Sequence, residues 1–464
     1  MTTVTRSRRV LVVGSGGREH AIAWKLALDG AEVLVAPGNA GTAAVGENVP
    51  VPATDIPALV DLARRRQVDL TVVGPEAPLV AGIVDAFQAA GLRVFGPTQS
   101  AARIEGSKIF CKQILHRGDV PTAMYREFRT AARAREYIEA REDVPVVVKA
   151  DGLAAGKGVF VCRTKAAALE AVATLGSDPQ FAAAASGILV EEMLDGVEVS
   201  VLAITDGRTV VTLPPVQDHK AAHDGDEGPN TGGMGAYTPT PFVDAAILAE
   251  IESRILVPTV HTMRRAKAPF QGVLFAGLML TAQGPKVLEF NARFGDPECE
   301  ALLVRLESSL LDLIDAAVDR RLDTLEPPTW RPGASVTVVM ASEGYPGEIR
   351  KGFPIRGLDA ARRVAGVQVF EAATRAHDGG VVNDGGRVLA VTAAAASLGR
   401  AKLQAYTAVK EIRWQGAWCR KDIADKGLRR ERELAAAAPE ADATAPGGDA
   451  PGAAVTAAGG EADT

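Results

Sequence analysis

The sequence predicts a multidomain protein of mixed α/β and α+β class, opening with a doubly wound parallel sheet. Three observations carry that prediction. At 464 residues the chain exceeds what one hydrophobic core serves, so two to four domains are expected. Residues 10–13 form a short apolar run that passes through Gly14-Ser15-Gly16-Gly17 into helical spacing over 18–28, which is a βα unit. Apolar strands at 335–340, 368–370 and 387–392 with helical spacing over 397–412 make a compact α+β domain of about ninety residues at the C-terminal end.

Within the first unit, apolar strands at 32–35, 70–73 and 94–95 alternate with helical patterns at 56–66 and 79–90. A nicotinamide-binding domain is one reading, because Gly14 and Gly16 begin a G-x-G-x-x-G. However, the third position is Glu19, and the second strand ends at Val35-Ala36-Pro37-Gly38 without an acid for a ribose. A monophosphate cradle at the helix N-terminus is the second reading, and an ordinary glycine-rich turn the third. The domain is expected to end at residue 107.

Helical spacing resumes from Glu105 through Leu115, and 146–149 is a strand ending in Lys149. Between it and the strand at 159–162 lies Ala150-Asp151-Gly152-Leu153-Ala154-Ala155-Gly156-Lys157-Gly158. Gly152 and Gly156 are one residue too close for a P-loop, and Gly158 replaces the metal-binding hydroxyl. The stretch reads as a mobile flap over a triphosphate or as a plain hairpin. Residues 188–200 are two strands around a bend, either a hinge for an adenine edge with Glu198 near ribose hydroxyls, or an acidic edge strand.

Gln217-Asp218-His219-Lys220 precedes a glycine-rich string, Gly228-Pro229-Asn230-Thr231-Gly232-Gly233-Met234-Gly235-Ala236-Tyr237. So many glycines suit a backbone that approaches a ligand closely. His219 reads as a hydrogen-bonded polar side chain, since no second His or Cys sits at metal-ligand spacing.

The strand Lys286-Val287-Leu288-Glu289-Phe290-Asn291-Ala292-Arg293 carries the densest polar group. With a period of two, Glu289, Asn291 and Arg293 share one face and Phe290 and Ala292 the other. Glu289 and Asn291 are hard oxygen donors of the kind Mg²⁺ takes with phosphates and water, and Arg293 is a fork for carboxylate or phosphate. The bland reading is an exposed polar edge.

The net charge is −6, yet Glu440, Asp442, Asp449, Glu461 and Asp463 supply five of these negatives, leaving the body near neutral. That balance gives no electrostatic argument for nucleic acid or a membrane surface as partner. The four cysteines, Cys111, Cys162, Cys299 and Cys419, lie far apart and suggest neither zinc nor a disulfide framework. With no signal peptide or spanning apolar run in view, a cytoplasmic protein is expected.

Gly14 to His20, Pro37-Gly38-Asn39-Ala40-Gly41, Val73 to Leu79, the Lys149 flap, Gln217 to Lys220, Gly228 to Tyr237 and Glu289 to Glu298 together resemble the phosphoribosylamine–glycine ligase family, in order and spacing, from about residue 9 to 425. The resemblance implies a central ATP-grasp core with a mobile lid, a small C-terminal α+β domain, and ligation of glycine to 5-phosphoribosylamine with ATP. It implies domains at 1–107, 108–328 with the lid over about 126–188, and 329–430. Residues 431–464, rich in Ala, Gly, Pro and acid, are expected to be a disordered tail.

By position in the family, Lys108 and Lys149 look like phosphate-binding lysines, with Gly156 and Lys157 on the flap, Glu191 and Leu194 at the adenine hinge and Glu198 at the ribose. Glu289 and Asn291 look like the ligands of Mg²⁺ or Mn²⁺. Gly14, Gly16, Gly17, Asn39, Asp218, Lys220, Asn230, Gly232, Gly233 and Arg293 are the expected substrate contacts. Arg293, Asp218 and Lys149 are the expected catalytic groups, and a monomer is implied. A related ligase on another phosphoribosylated amine, and a nucleotide-binding regulator without the chemistry, are the competing readings.

Overall fold

The computed structural model describes residues 7–153, 158–178 and 187–437. Among them, no helix is long and apolar enough to cross a membrane. Gly156, Lys157 and residues 438–464 lie outside the described residues.

The N-terminal sheet is wholly parallel and runs Glu47–Asn48, Glu32–Pro37, Arg9–Gly14, Leu70–Val73, Val94–Phe95. Its Val and Leu side chains are buried on both faces, as helical crossovers on either side require. The helix expected over 79–90 is two, Glu76–Val80 and Ile83–Ala89, because Gly82 between them has φ 91°, which ends a right-handed helix. Likewise the helix expected to open at Glu105 opens at Lys108. Ser107 breaks from the preceding Gln99–Gly106 helix at φ −143°, and its Oγ accepts from the Phe110 N–H at 3.1 Å.

The lid expectation corresponds to an antiparallel sheet ordered Tyr125–Phe128, Ile188–Glu192, Val146–Ala150, Val159–Cys162. Its core, which includes Ala134, Ile138, Val148, Ala168, Val172 and Val190, is separate from every other core cluster among the described residues. A module with its own core is a separate packing unit. The next sheet, Val210–Thr212, Val197–Thr205, Gly272–Thr281, Gly284–Asn291, is also antiparallel and carries the polar strand at its edge.

The C-terminal sheet runs Gln217–Asp218, Gly235–Thr238, Ala334–Ala341, Arg387–Ala395, Val367–Glu371. The end of the glycine-rich string, Gly235–Thr238, and the Gln217–Asp218 strand ahead of the string therefore belong to the C-terminal sheet, although they precede its other strands by about a hundred residues. A cut at 328/329 would sever that sheet. The last helix, Asp425–Ala437, covers residues 431–437, which were expected to belong to the tail. Gly427 lets it pack against Tyr237, where a Cβ would come within 2.6 Å of the ring.

Candidate active site

Glu289 and Asn291 stand half-buried on one face of Gly284–Asn291, while Phe290 and Ala292 are 2% and 1% exposed on the core side. The period-two reading of this strand is borne out. Just before it the ladder slips: Gly277 pairs with Glu289 and Leu278 with Val287, leaving Leu288 as the extra residue of a bulge. The freed Leu288 carbonyl accepts from Lys149 Nζ at 3.2 Å, so the bulge ties the polar strand to the lid sheet.

Lys149 Nζ also lies 3.0 Å from Glu191 Oε2, and Lys112 Nζ lies 3.1 Å from the same oxygen. Glu191 is 2% exposed, and its Oε1 has no hydrogen-bond partner in the protein. Sequence reasoning missed Lys112, although its spacing of four from Lys108 puts both on one helical face. Lys108 Nζ donates to the Gly152 carbonyl at 3.1 Å. Asp151 Oδ1 accepts from Ser107 Oγ at 2.9 Å and from the Ile109 N–H at 3.1 Å, which pins the base of the flap to the start of the Lys108–Arg117 helix. Leu194 occupies the bend between Ile188–Glu192 and Val197–Thr205, where the Glu192 N–H donates to the Met124 carbonyl at 3.0 Å.

Arg293 is held by the protein. Its guanidinium lies 3.0 Å from Glu105 Oε1 and 3.4 Å from Glu76 Oε2, and Nη2 donates to Asn291 Oδ1 at 3.4 Å. Glu105 Oε2 accepts from the Ala292 N–H at 2.7 Å. Two acids from flanking helices thus orient the strand end, and Arg293 aims the Asn291 oxygen.

Across the site, Lys220 Nζ lies 2.9 Å from Glu198 Oε2. Burial raises the Asp218 carboxyl above its ordinary range, with Lys220 opposing and Glu198 adding to the rise. Burial would likewise raise Glu289, but Lys220, Lys149, Lys108 and Arg293 outweigh it and hold its carboxyl below the usual range. Glu298 is pushed up to about 8 by burial and by Asp218. Among the described residues no cluster of three or more His, Cys, Asp or Glu forms a metal cage.

Beside the strand end opens a cavity of about 400 Å³, lined by Ser15, Gly16, Asn39, Asp296, Tyr345 and Arg387 among others. All three parts of the chain contribute to it. Gly16 lines it, but Gly14 and Gly17 do not. The helix terminus there already meets carboxylates: Gly16 N–H donates to Glu19 Oε2 at 2.6 Å, and Arg18 N–H to Asp296 Oδ2 at 3.4 Å. A phosphate on those same groups would face two negative charges, which weakens the cradle reading. The Asn39 side chain is saturated by the Ser15 and Glu371 carbonyls and the Gly41 and Thr42 N–H groups, so it shapes the wall.

Models of the phosphoribosylglycinamide synthetase N domain, ATP-grasp (A) domain and C domain match residues 8–105, 106–299 and 335–426. The chain is 57% identical over 426 residues to a phosphoribosylamine–glycine ligase of Rhodopirellula baltica, covering 90% of this chain and 98% of that one. This chain belongs to the phosphoribosylglycinamide synthetase family. A trifunctional purine biosynthetic protein adenosine-3 of Gallus gallus is 49% identical, covering 90% of this chain and 42% of that longer one. The solved phosphoribosylamine–glycine ligase of Thermotoga maritima superposes with a TM-score of 0.79 at 32% identity, covering 90% and 100%. A biotin carboxylase of Campylobacter jejuni, at 14% identity and TM-score 0.67 over 89% and 93%, shares the fold alone.

Membership of the phosphoribosylglycinamide synthetase family bears out the recognised resemblance, the multidomain α/β and α+β architecture with its ATP-grasp core, and ATP-dependent ligase activity. Asn230 is exposed at the end of a hairpin, Ala221–His223 with Glu227–Asn230, away from the cavity lining. His219, expected to be hydrogen-bonded, has both ring nitrogens buried without a partner. Its ring packs 6.0 Å from that of Tyr237, and burial with Arg420 and Lys426 nearby lowers its pKa to about 4, so it stays neutral. Arg387 and Asp296 were not among the expected site residues. Arg387 follows two glycines in a turn-like string, and nothing in that string reveals its distant partners.

Proposed function

We propose that this chain joins glycine to 5-phosphoribosylamine through glycyl phosphate, with the nucleotide between the lid sheet and the Gly284–Asn291 strand and the amine in the adjoining cavity. The observation that carries this reading is the ring of Lys220, Lys149, Lys108 and Arg293 about Glu289. Lys220, Lys149 and Arg293 are paired with Glu198, Glu191 and Glu105, and Lys108 donates to the Gly152 carbonyl. A triphosphate entering beside Glu289 would therefore find cations already gathered there and would share them with the acids that hold them. Glu191, with one buried oxygen unpartnered beside the hinge, suits the amino edge of a purine.

Glu289 and Asn291 fit a hard divalent cation, Mg²⁺ or Mn²⁺: two oxygen donors on one face, one kept ionised and the other aimed by Arg293. Such a cation, when bound, supplies charge neutralisation at the phosphates. A glycine carboxylate oxygen attacks the γ-phosphorus and ADP leaves. The amine nitrogen then attacks the carbonyl carbon, phosphate leaves, and the nitrogen gives up a proton. Asp218, whose carboxyl is raised by burial, is the group we assign to take that proton. Glycyl phosphate hydrolyses in open water, so the reaction needs a site shielded from solvent. A cytoplasmic monomer acting on small molecules is the corresponding reading of the whole chain, supported by its near-neutral body and its family.

The test is ADP release with ATP, glycine and freshly made phosphoribosylamine, omitting each in turn. Turnover that needs all three and yields a new amide is expected; ADP without amide would sink the proposal.

A further inference from the structure

The residues at the meeting point of the three parts of the chain do more than line the cavity. Arg387 begins the Arg387–Ala395 strand of the C-terminal sheet. Its Nη1 donates to the carbonyls of Gly232 at 2.7 Å, Gly233 at 3.1 Å and Asp296 at 2.8 Å, and Nη2 lies 3.2 Å from Asp296 Oδ1. One guanidinium therefore ties the glycine-rich loop to the turn that follows Arg293. Gly232 N–H donates to Tyr345 Oη at 3.2 Å, a second bond from the C-terminal part to the same loop. Asp296 Oδ2 in turn accepts from the Arg18 N–H at 3.4 Å, and Arg18 Nη1 donates to the Phe294 carbonyl at 3.1 Å, which brings in the N-terminal part.

The close approach depends on glycine. A Cβ at Gly232 would come within 2.9 Å of Arg387 Cζ, and one at Gly233, where φ is 109°, within 2.6 Å of Pro297 Cδ. The loop has been shaped to receive this arginine. Arg387 is also the sole cation on the cavity lining among the described residues, and its charge is already committed to Asp296.

We propose that Arg387 and Asp296 are a positioning pair, which fixes the glycine-rich loop against the end of the Glu289–Asn291 strand and so makes amine attack depend on the C-terminal part of the chain. This inference rests on reading the cavity as the phosphoribosylamine site. The pair acts through the loop and the strand end. The nucleotide end of the site is held independently, by Lys149 on Leu288 and Glu191 and by Lys108 on Gly152. Displacing reacting groups by about 1 Å costs on the order of 100-fold in rate.

Steady-state kinetics of wild type, Arg387→Met, Arg387→Lys, Asp296→Asn and the Arg387→Met/Asp296→Asn pair, varying each substrate separately, tests this. Wild type that fails to use phosphoribosylamine removes the site reading itself, independently of the pair. Given an active wild type, Arg387→Met is expected to lose about 100-fold in kcat/KM for phosphoribosylamine with the KM for ATP within about twofold. Arg387→Lys, which keeps the charge and some donors, recovers part of the loss. The double variant falls little further than the worse single, as for groups acting as a unit. Folded Arg387→Met with wild-type parameters overturns the proposal. So does a parallel fall in the ATP and phosphoribosylamine parameters with the melting temperature, in Arg387→Lys or Asp296→Asn if Arg387→Met does not fold.

Discussion

At the scale of single residues, the chemistry turns on which side chains keep an uncompensated polar group. Glu289 stays ionised in a half-buried position because Lys220, Lys149, Lys108 and Arg293 outweigh the cost of its burial. Glu289→Ala is expected to fold normally and to lose at least about 100-fold in turnover, the range seen when a charge-stabilising group is removed. Full activity in that variant would overturn its assignment. His219 and His20 behave oppositely. Burial lowers both to about 4, and the Glu371 N–H donates to His20 Nδ1 at 2.8 Å, a bond that needs the neutral ring. Their folded pKa lies below the unfolded value, so the unfolded state binds more protons between about pH 4 and 6.5. Stability is complete above about pH 6.5 and falls as pH drops toward 4. Urea midpoints measured across that window are expected to decline with falling pH, and less steeply in His219→Phe. The shared face of Glu289 and Asn291 was legible because a strand's period places them. The state of His219 was not, because solvent exclusion by Tyr237 and the C-terminal sheet is a property of packing.

At the scale of elements, the hairpin Ala221–His223 with Glu227–Asn230 is held by a buried arginine. Arg420 donates to Asp422 through Nε at 2.8 Å and Nη2 at 2.7 Å, to Asp226 at 3.1 Å and to the Ala221 carbonyl at 3.0 Å. The hairpin leads directly from Asp218 and Lys220 into the glycine-rich loop. Arg420→Met is expected to cost about 2–4 kcal/mol and to speed amide exchange and proteolysis at residues 221–230. Unchanged exchange there would show that the hairpin is held by something else. Strand positions in the first sheet were readable from apolar runs, whereas Gly82 and Ser107 broke two helices whose apolar spacing continued through the break. Spacing reports which face is buried, but a left-handed or extended residue ends a helix regardless of that face.

At the scale of the whole molecule, the C-terminal part is woven into the catalytic half. Gly235–Thr238 pairs with Ala334–Ala341, and the Asp425–Ala437 helix seals the other side of Tyr237 through Gly427. Lys426 pairs with Asp226 and Arg430 lies over the Phe242 ring at 6.0 Å, so the helix also braces the hairpin and the segment after the loop. Removing residues 438–464 is expected to leave turnover and melting temperature unchanged. Removing residues from 425 onward is expected to lower both, and a fully stable, active enzyme after the longer deletion would refute that account.

The sequence by itself determined the parallel sheet of the N-terminal part, the face on which Glu289 and Asn291 stand, the strand that ends in Lys149 and the family, because these follow from local periodicity and from motifs read in order. Tertiary structure decided that the end of the glycine-rich loop joins the C-terminal sheet, that Arg293 is claimed by Glu76 and Glu105, and that Arg387 meets Asp296 beside that loop. Each of those pairings joins residues about ninety or more positions apart, or is set by acids on other elements. No local pattern records which distant charge or carbonyl will be nearest once the cores have packed.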